Sequence, residues 1–220
     1  MVFISQKIYA KEEVFNLPFD KFPLASFYNE YPFLIINNFL SKNECHEIIN
    51  SLDKNEKYKA KIISNNNLNE SIRKTILHNP TDKLRELFHK RINKYKNDIE
   101  KFFGVSLLKG TDIQILEYKE GGHYNCHADN ASVIMKNNHI VGYKVVRSER
   151  KLTTLLFLNE DFLGGEIEFC HLRYYNNKRV ILKPKIGMMI VFPSHGLFAH
   201  KVFEIKKGKR FAIVKWWNVI

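Results

Sequence analysis

The pattern of hydrophobic and polar positions predicts two helices in the first hundred residues of the chain. An apolar run, YPFLIINNFL (31–40), is typical of a short strand and is followed by Ser41 and Glu44. A serine with a glutamate three residues later is a capping box, in which each side chain bonds the other residue's backbone N–H. The pattern therefore predicts a first helix from Ser41 to about Leu52.

The second predicted helix has the clearest periodicity in the sequence. Asn79 is its expected N-cap and Pro80 its first helical residue, because proline lacks the N–H that a helix start leaves unpaired. Gly104 is its expected end, because glycine readily adopts the left-handed conformation found there. Apolar residues recur at helical spacing at Leu84, Leu87, Phe88, Ile92, Tyr95, Ile99 and Phe102. Such a stripe indicates a face that packs against the rest of the molecule.

After Gly104 the hydrophobic pattern becomes that of short strands. β-rich runs occupy residues 112–118, 123–129, 152–158, 166–170, 179–183, 188–193, 199–205 and 210–217. The turn sequences FLGGE, KPKIG, FPSHG and KKGKR lie between them. Short strands after a helical start predict an α+β, mainly β fold, in which a double-stranded β-helix (jelly roll) packs against N-terminal helices.

The length of 220 residues and a hydrophobic content of 45% suit one well-buried domain. We expect a single domain over residues 1–220, with a helical support region at 1–104 and a jelly-roll catalytic core at 105–220. Residues 130–148 interrupt the strand pattern. A long insertion of this kind often binds substrate, so we expect a substrate loop there.

The lack of recognisable targeting signals and the pattern of cysteines predict an intracellular, cytoplasmic protein. The sequence has no apolar run long enough to span a membrane, and its N-terminus lacks the features of a signal peptide. Its three cysteines, Cys45, Cys126 and Cys170, are odd in number and form no CxxC pair. We therefore expect no disulfide scaffold and no membrane partner.

The formal charge of +12 and the pI of about 9.5 would suit a nucleic-acid partner. Only eight of the 35 basic residues are arginine, however, and the lysines are scattered along a chain that is also rich in asparagine. This pattern is typical of a coding bias and solvated surface lysines. A nucleic-acid partner is the less favoured interpretation.

The stretch HYNCHADN (123–130) contains candidate metal ligands whose spacing fits two structures. His123 and His127 would share a face of a helix, whereas His127 and Asp129 would share a face of a strand. A glycine pair at 121–122 disfavours a helix start, and the preceding TDIQILEY is rich in strand formers. A helical zinc protease would also need glutamate where Tyr124 stands. The strand is the better prediction, with His123 on the same side as the other two.

A metal site needs a third protein ligand, and His200 is the best candidate. It begins the predicted strand AHKVFEI, where a jelly roll would bring the chain back beside His127 and Asp129. We set aside His46, His78 and His89 as parts of the helical region, His139 as part of the insertion, and His171 as following a strand. Two histidines and one carboxylate form the facial triad of non-haem Fe(II) oxygenases. A zinc site would typically leave one open position rather than three.

An oxygenase of this kind needs a cation for its dicarboxylate co-substrate, and Arg210 is placed to supply it. It lies ten residues after His200, and strand periodicity puts it on one face with Ala212, Val214 and Trp216. A guanidinium can bind a carboxylate through two parallel hydrogen bonds, which a lysine cannot do. The alternative is a surface arginine in a basic turn, as we expect for the neighbouring Lys209.

These features resemble the prolyl 4-hydroxylase branch of the Fe(II)/2-oxoglutarate-dependent dioxygenases. The resemblance spans roughly Tyr31 to Trp217 and consists of five segments in the family's order. They are FLIINNFLSKNEC, EYKEGGHYNCHADN, RKLTTLLFLNEDFLGGEIEF, LKPKIGMMIVFPS and HKVFEIKKGKRFAIVKWW. Each segment alone is weakly specific, but their order and spacing together are strongly specific.

The resemblance implies a role for each residue that matches the family pattern. His127, Asp129 and His200 would bind Fe(II), and Arg210 would bind the distal carboxylate of 2-oxoglutarate. Tyr118 would reach the same carboxylate, and Thr153, Leu155 and Phe157 would line the co-substrate pocket. Tyr124 and Trp216 would lie near the iron and the substrate. The family often has tyrosine where Phe157 stands, so one hydrogen bond is expected to be absent.

The implied reaction is hydroxylation of a prolyl residue in a protein or peptide. O₂ and 2-oxoglutarate are the co-substrates, succinate and CO₂ the co-products, and ascorbate a further candidate cofactor. The same chemistry on a free amino acid or another small molecule is an alternative. A nucleic-acid oxidative demethylase usually has a second arginine where Trp216 stands, and a zinc hydrolase would need an acid or base beside the metal. A non-catalytic metal-binding jelly roll would be expected to have lost a ligand.

Overall fold

Strands dominate the part of the chain that the computed structural model describes, which is residues 13–15, 22–23, 31–52, 57–59, 69–137, 139–174 and 176–220. Its α-helices are α1 (Lys42–Ser51) and α2 (Asp82–Phe103). Its strands are β1 (Glu13–Phe15), β2 (Phe22–Pro23), β3 (Leu34–Ile36), β4 (Lys57–Lys59), β5 (Ile76–His78), β6 (Leu107–Gly110), β7 (Gln114–Tyr118), β8 (Tyr124–His127), β9 (Ala131–Lys136), β10 (His139–Val145), β11 (Leu152–Phe157), β12 (Leu163–Gly164), β13 (Ile167–Arg173), β14 (Arg179–Leu182), β15 (Met189–Pro193), β16 (His200–Val202), β17 (Ile205–Lys207) and β18 (Arg210–Val219). Neither described helix combines the length and the hydropathy that crossing a membrane requires.

The ends of α1 follow from its sequence. The Ser41 hydroxyl accepts a hydrogen bond from the Glu44 N–H at 3.2 Å, and the Glu44 carboxylate accepts one from the Ser41 N–H at 2.8 Å. Leu52 is the C-cap. The predicted capping box and helix end are therefore confirmed.

Helix α2 begins two residues later than predicted. Its N-cap is Thr81, whose hydroxyl accepts from the Leu84 N–H, so Asn79 and Pro80 lie before the helix and not within it. A threonine oxygen in this position satisfies an N–H that the first turn leaves unpaired. Gly104 ends the helix in the left-handed conformation (φ 68°), as predicted.

The larger sheet has eight strands in the order β3-β15-β11-β18-β7-β5-β4, with β6 also paired to β18. All of its pairings are antiparallel. Three of its strands, β3, β4 and β5, come from the first 104 residues. The region predicted as a helical support therefore also contributes strands to the sheet.

A smaller sheet of five strands faces the larger one. Its order is β14-β13-β16-β8, and β2 pairs in parallel with β13. A buried cluster joins the two sheets and includes Leu116, Leu155, Phe157, Ile167, Phe169 and Val202. A second cluster joins the other face of the larger sheet to the helices and includes Phe39, Phe88, Ile99, Ile115, Leu156 and Ile213. The described chain is thus layered as helices, larger sheet and smaller sheet, and it is mainly β.

The insertion at 130–148 contains two strands instead of an irregular loop. β9 and β10 pair as an antiparallel hairpin, and the other edge of β10 pairs with β1. Tyr143 of this hairpin is buried with Ala128, Ala131 and Ala199, close to the end of β8. The hairpin is therefore anchored beside the strand that carries His127.

A disulfide joins Cys126 on β8 to Cys170 on β13, 44 residues apart in sequence. The expectation of no disulfide scaffold did not foresee this bond, and only Cys45 of the three cysteines is free. The odd number of cysteines could not show the pairing, because it depends on β8 and β13 being neighbours of the same strand, β16. The bond lies directly behind the predicted metal ligands, since Cys126 precedes His127 and the Cys170 N–H bonds the carbonyl of Ala199, which precedes His200.

Candidate active site

Two neighbouring strands bring together the three residues that sequence spacing singled out. His127 ends β8, His200 begins β16, and the two are direct partners across the antiparallel pair. Asp129 follows two residues after His127 on the same side. Their ligand atoms all lie within 4.8 Å of one another, and each of the three side chains is largely buried. Within the described ranges this is the one group of histidine, cysteine or carboxylate residues arranged to hold a metal ion.

Hydrogen bonds fix the orientation of both imidazole rings. Nδ1 of His127 lies 2.9 Å from the carbonyl oxygen of Asn125, and Nδ1 of His200 lies 3.1 Å from that of Phe198. A carbonyl oxygen can only accept, so each Nδ1 carries the proton and each Nε2 presents a lone pair. This is the arrangement in which a second partner sets the tautomer of a metal-binding histidine.

The electrostatic surroundings keep His127 neutral. Burial, and next the proximity of His200, hold the pKa of His127 well below its usual value. Both effects disfavour the imidazolium form, since a buried cation loses solvation and a second ring beside it adds repulsion. The neutral ring is the form that binds a metal.

Asp129 is held by the strand on the opposite sheet. The Thr153 hydroxyl donates to Oδ2 of Asp129 at 2.7 Å and lies 2.8 Å from the hydroxyl of Ser194. The backbone N–H of Asp129 also bonds the carbonyl of Ser194. The other carboxylate oxygen, Oδ1, lies 3.9 Å from Nε2 of His127. One oxygen is therefore fixed by Thr153 while the other faces the histidines.

Arg210 is buried without a counter-charge in the part of the chain that the structure describes. It is 1% exposed, and its Nε, Nη1 and Nη2 atoms have no hydrogen-bond partner there. The guanidinium carbon lies 5.1 Å from the ring of Tyr118 and 5.3 Å from that of Phe157. Burial lowers the pKa of Arg210 to about 10, which leaves it charged at neutral pH. A buried cation without a counter-charge is costly in free energy, and an anion bound beside Arg210 would remove that cost.

The FLGGE turn explains how Arg210 is enclosed. Gly165 has φ 71°, a conformation that favours glycine, and a side chain there would meet Cδ of Arg210 at 3.0 Å. The glycine therefore lets the backbone cover the arginine. On the neighbouring strand β7, Tyr118 is the direct pairing partner of Arg210. Sequence periodicity had correctly placed Arg210 on the face of β18 that points between the sheets.

The group of His127, Asp129 and His200 lines a single cavity of about 450 Å³ together with Arg210. Its walls also include Tyr118, Thr153, Leu155 and Trp216, all of them predicted to lie near the site. Carboxylate, imidazole and guanidinium groups therefore converge on one space. That donor set fits a metal ion beside His127, Asp129 and His200, and an anionic group beside Arg210.

Two predicted residues take positions that differ in detail from the expectation. Phe157 is fully buried and does not reach the cavity, although its ring supports Arg210 from behind. Thr153 lines the cavity, but its hydroxyl donates a hydrogen bond to Asp129. Tyr124 stacks on His127 with a ring separation of 3.4 Å, as its place beside the iron site suggested.

Two histidines differ from their predicted settings. His78 is not in a helical region but lies on β5, buried, with Nε2 2.8 Å from the Glu117 carboxylate on the far side of the larger sheet. His123 does not join the other two candidates, because its ring nitrogens lie 3.1 and 3.2 Å from the carbonyls of Gly121 and Ser71.

Sequence reasoning missed three arginines of the cavity wall, Arg73, Arg147 and Arg150. Arg150 lies 3.8 Å over the ring of Trp216, and Arg73 lies 4.6 Å over the ring of Tyr124. The position of Arg150 just before the strand KLTTLLF was a usable signal, because a residue at a strand end often reaches a site. Arg73 has no such signal, since it reaches the cavity through a β-bridge to Tyr124, 51 positions along the chain.

The comparisons with known proteins agree with this geometry. Residues 113–218 match the 2OG-Fe(II) oxygenase superfamily. Human prolyl 3-hydroxylase 2 is 36% identical over 95 residues, which are 42% of this chain and 13% of that protein. A PKHD-type hydroxylase of Alteromonas mediterranea is 32% identical over 99 residues, or 45% of this chain and 39% of that protein. The matches thus span well under half the length of these relatives.

Solved structures show the same fold. A prolyl hydroxylase of Trichoplax adhaerens, in complex with a hypoxia inducible factor peptide fragment, has a TM-score of 0.63 and 21% identity, covering 84% of this chain and 83% of that one. A Pseudomonas putida prolyl-4-hydroxylase has a TM-score of 0.57 and 18% identity, covering 84% and 91%. The sequence match covers the strands that carry His127, His200 and Arg210, and the structural match covers a larger share of the chain. In sequence, residues 113–218 resemble the 2OG-Fe(II) oxygenase superfamily, and the described part of the chain has the fold of these solved prolyl hydroxylases.

Proposed function

We propose that this chain is an Fe(II)- and 2-oxoglutarate-dependent dioxygenase that hydroxylates a prolyl residue of a protein or peptide. The single observation behind the proposal is a buried Arg210, unpaired among the described residues, in the same cavity as a His-Asp-His group. A metal site alone would need no such cation. We infer further that the two facing sheets form a double-stranded β-helix.

Each residue of the cavity has a role in this reaction. His127, Asp129 and His200 would hold Fe(II) on one face and leave other positions open. Bound iron would supply the oxidation of a substrate C–H bond, coupled to conversion of 2-oxoglutarate and O₂ to succinate and CO₂. Arg210 would bind the distal carboxylate, with Tyr118 beside it, and the apolar walls would exclude water from the reacting atoms.

The remaining residues orient these groups. Thr153 keeps one oxygen of Asp129 occupied, so that Oδ1 is the oxygen offered to the metal. The carbonyls of Asn125 and Phe198 keep both histidines in the tautomer that exposes Nε2. Tyr124 and Trp216 would form the sides of the substrate site, because they lie in the cavity wall near the proposed iron ligands.

A peptide substrate is supported by a groove next to the cavity. This apolar groove of about 370 Å³ lies between β8 and the β9–β10 hairpin, and it shares Tyr124 and His127 with the cavity wall. Met135 and Ile140 of the hairpin line it. Residues 130–148 would thus contact the chain on one side of the hydroxylated residue. A free amino acid would leave this groove unused.

Succinate release with product mass tests the proposal. The purified protein would be incubated with Fe(II), 2-oxoglutarate, O₂ and ascorbate, together with proline-containing peptides, proteins or free amino acids. We expect succinate in proportion to a product heavier by one oxygen, and nuclear magnetic resonance would show whether C3 or C4 is hydroxylated. Absence of succinate above the level of a His127→Ala variant, with every substrate, would contradict the proposal.

A further inference from the structure

The charges that line the cavity are unequal. Four arginines, Arg73, Arg147, Arg150 and Arg210, reach its wall, and Asp129 is the one acidic residue of the described lining. A cavity lined by one sign of charge concentrates ligands of the opposite sign. The proposed iron and 2-oxoglutarate would neutralise only part of this positive charge.

The proposed ligands balance only Arg210. An Fe(II) ion has two positive charges, Asp129 one negative, and 2-oxoglutarate two negative, so Arg210 brings this group to neutrality. Arg147 and Arg150 remain as positive charges around the space left for substrate. This accounting rests on the proposed function.

Arg150 is fixed in place and is not a solvated surface residue. Its guanidinium stacks 3.8 Å over Trp216, and its Nη1 donates to the carbonyl oxygen of Asp129 at 3.1 Å. Its Nε is buried and has no hydrogen-bond partner among the described residues. Burial lowers the pKa of Arg150, so the charge is held against a solvation cost. A stacked guanidinium with unused N–H groups is suited to a carboxylate.

Arg147 adds a second positive charge to the same wall. The Arg150 N–H bonds the Arg147 carbonyl, and the Arg147 N–H bonds the carbonyl of Asn130. The backbone thus holds both residues beside Asp129. In the described part of the chain neither arginine forms an ion pair, and the charges of Asp129 and Glu149 offset only part of the repulsion that Arg147 exerts on Arg150. A bound anion would relieve that repulsion.

We propose that the substrate carries a carboxylate close to the hydroxylated carbon, and that Arg147 and Arg150 bind it. In a peptide this group is the side chain of an aspartate or glutamate next to the target residue. The arrangement also disfavours peptides with lysine or arginine at that position, because like charges would be desolvated together.

Peptide binding tests this proposal without requiring turnover. Fluorescently labelled peptides of one proline-containing sequence, with aspartate, asparagine or lysine beside the proline, would be titrated by anisotropy. The titration would use anaerobic protein loaded with Fe(II) and 2-oxoglutarate, and also the metal-free protein. We expect the aspartate peptide to bind at least about tenfold more tightly than the asparagine peptide, and the lysine peptide most weakly. The difference should shrink as salt is added.

Charge-removing variants identify the residues responsible. Arg147→Gln should weaken the preference for aspartate, because only Arg150 remains to bind the carboxylate, while keeping the visible charge-transfer band of the iron–2-oxoglutarate complex. Lys144→Gln is the matched control, because it removes one exposed positive charge on β10 outside the cavity wall and should keep the preference. Equal affinity for the three peptides, or the same loss in both variants, would overturn the inference.

Two further peptides distinguish the sources of the carboxylate. The same sequence would end at the proline, either as a free acid or as an amide, and free proline would be titrated as a competitor. Preference for the free acid and competition by proline would support a main-chain carboxylate instead of an acidic side chain. A charge-transfer band with no charge preference would overturn this inference and leave the proposed function standing. A preference for aspartate without a charge-transfer band would contradict the proposed function and leave this inference standing.

Discussion

Arg210 is the residue whose removal most directly tests the use of 2-oxoglutarate. Arg210→Ala should keep iron binding nearly intact, since Arg210 is not among the candidate ligands. It should lower the affinity for 2-oxoglutarate at least a hundredfold, because a buried carboxylate without its partner loses on the order of 3–5 kcal/mol and each ~1.4 kcal/mol is tenfold. Anaerobic titration of 2-oxoglutarate, followed by the visible charge-transfer band, measures this.

Two variants control the Arg210 experiment. Arg210→Lys should give an intermediate affinity, because a point charge replaces a planar fork with two hydrogen bonds. Lys209→Ala should change little, since Lys209 is exposed and lies 3.9 Å from Glu117 on the other side of the sheet. Equal, small effects of Arg210→Ala and Lys209→Ala would mean that 2-oxoglutarate does not bind Arg210.

His127 offers the corresponding test of the metal. His127→Ala should lose most of the affinity for Fe(II) and the charge-transfer band, because only two of three protein ligands would remain. His123→Ala is its control, since the ring of His123 bonds backbone carbonyls outside the candidate site. Titration of Fe(II) under anaerobic conditions compares the two. Full iron affinity in His127→Ala would show that the ligand assignment is wrong.

At the scale of elements, the disulfide between β8 and β13 supports the strands that carry the histidines. Cys126→Ser should lower the free energy of unfolding by about 2–4 kcal/mol, because the cross-link restricts the unfolded chain. Urea denaturation without reductant measures this difference. A dithiol reductant should lower the stability of the natural chain to that of the variant. The variant itself should not respond to the reductant. A natural chain whose unfolding midpoint is unaffected by the reductant would contradict the disulfide.

At the scale of the whole molecule, the helices stabilise the larger sheet from the face opposite the cavity. Ile99 of α2 is fully buried in that layer, so Ile99→Ala should lower the free energy of unfolding by about 2–5 kcal/mol. The folded variant should still bind 2-oxoglutarate, because Arg210 points to the other face. Urea unfolding measures the first effect and the charge-transfer band the second.

The exposed residue Lys101 provides the comparison for Ile99. Lys101→Ala, on the solvent side of the same helix, should change the stability by no more than about 0.5 kcal/mol. If both substitutions destabilised the protein equally, the helix would not pack on the sheet through the predicted stripe. If Ile99→Ala abolished 2-oxoglutarate binding in folded protein, the two faces of the sheet would not be independent.

Much of the fold and the candidate site was predictable because the controlling patterns are local. The capping box of α1, the stripe of α2 and the alternation along β18 each depend on neighbours a few residues apart, and the structure confirms each of them. The start of α2 was not predicted, because Asn79 and Thr81 are both competent caps.

The sequence by itself determined the chemical character of the site. It specified which residues could bind a metal, which face of β18 Arg210 would share with Trp216, and where glycines would let the chain turn. Tertiary structure alone decided the pairing of β8 with β16, the bond between Cys126 and Cys170, and the approach of Arg73 and Arg150 to the cavity. Those contacts join residues far apart in the chain. They depend on the order of strands in the sheets, which no local pattern encodes.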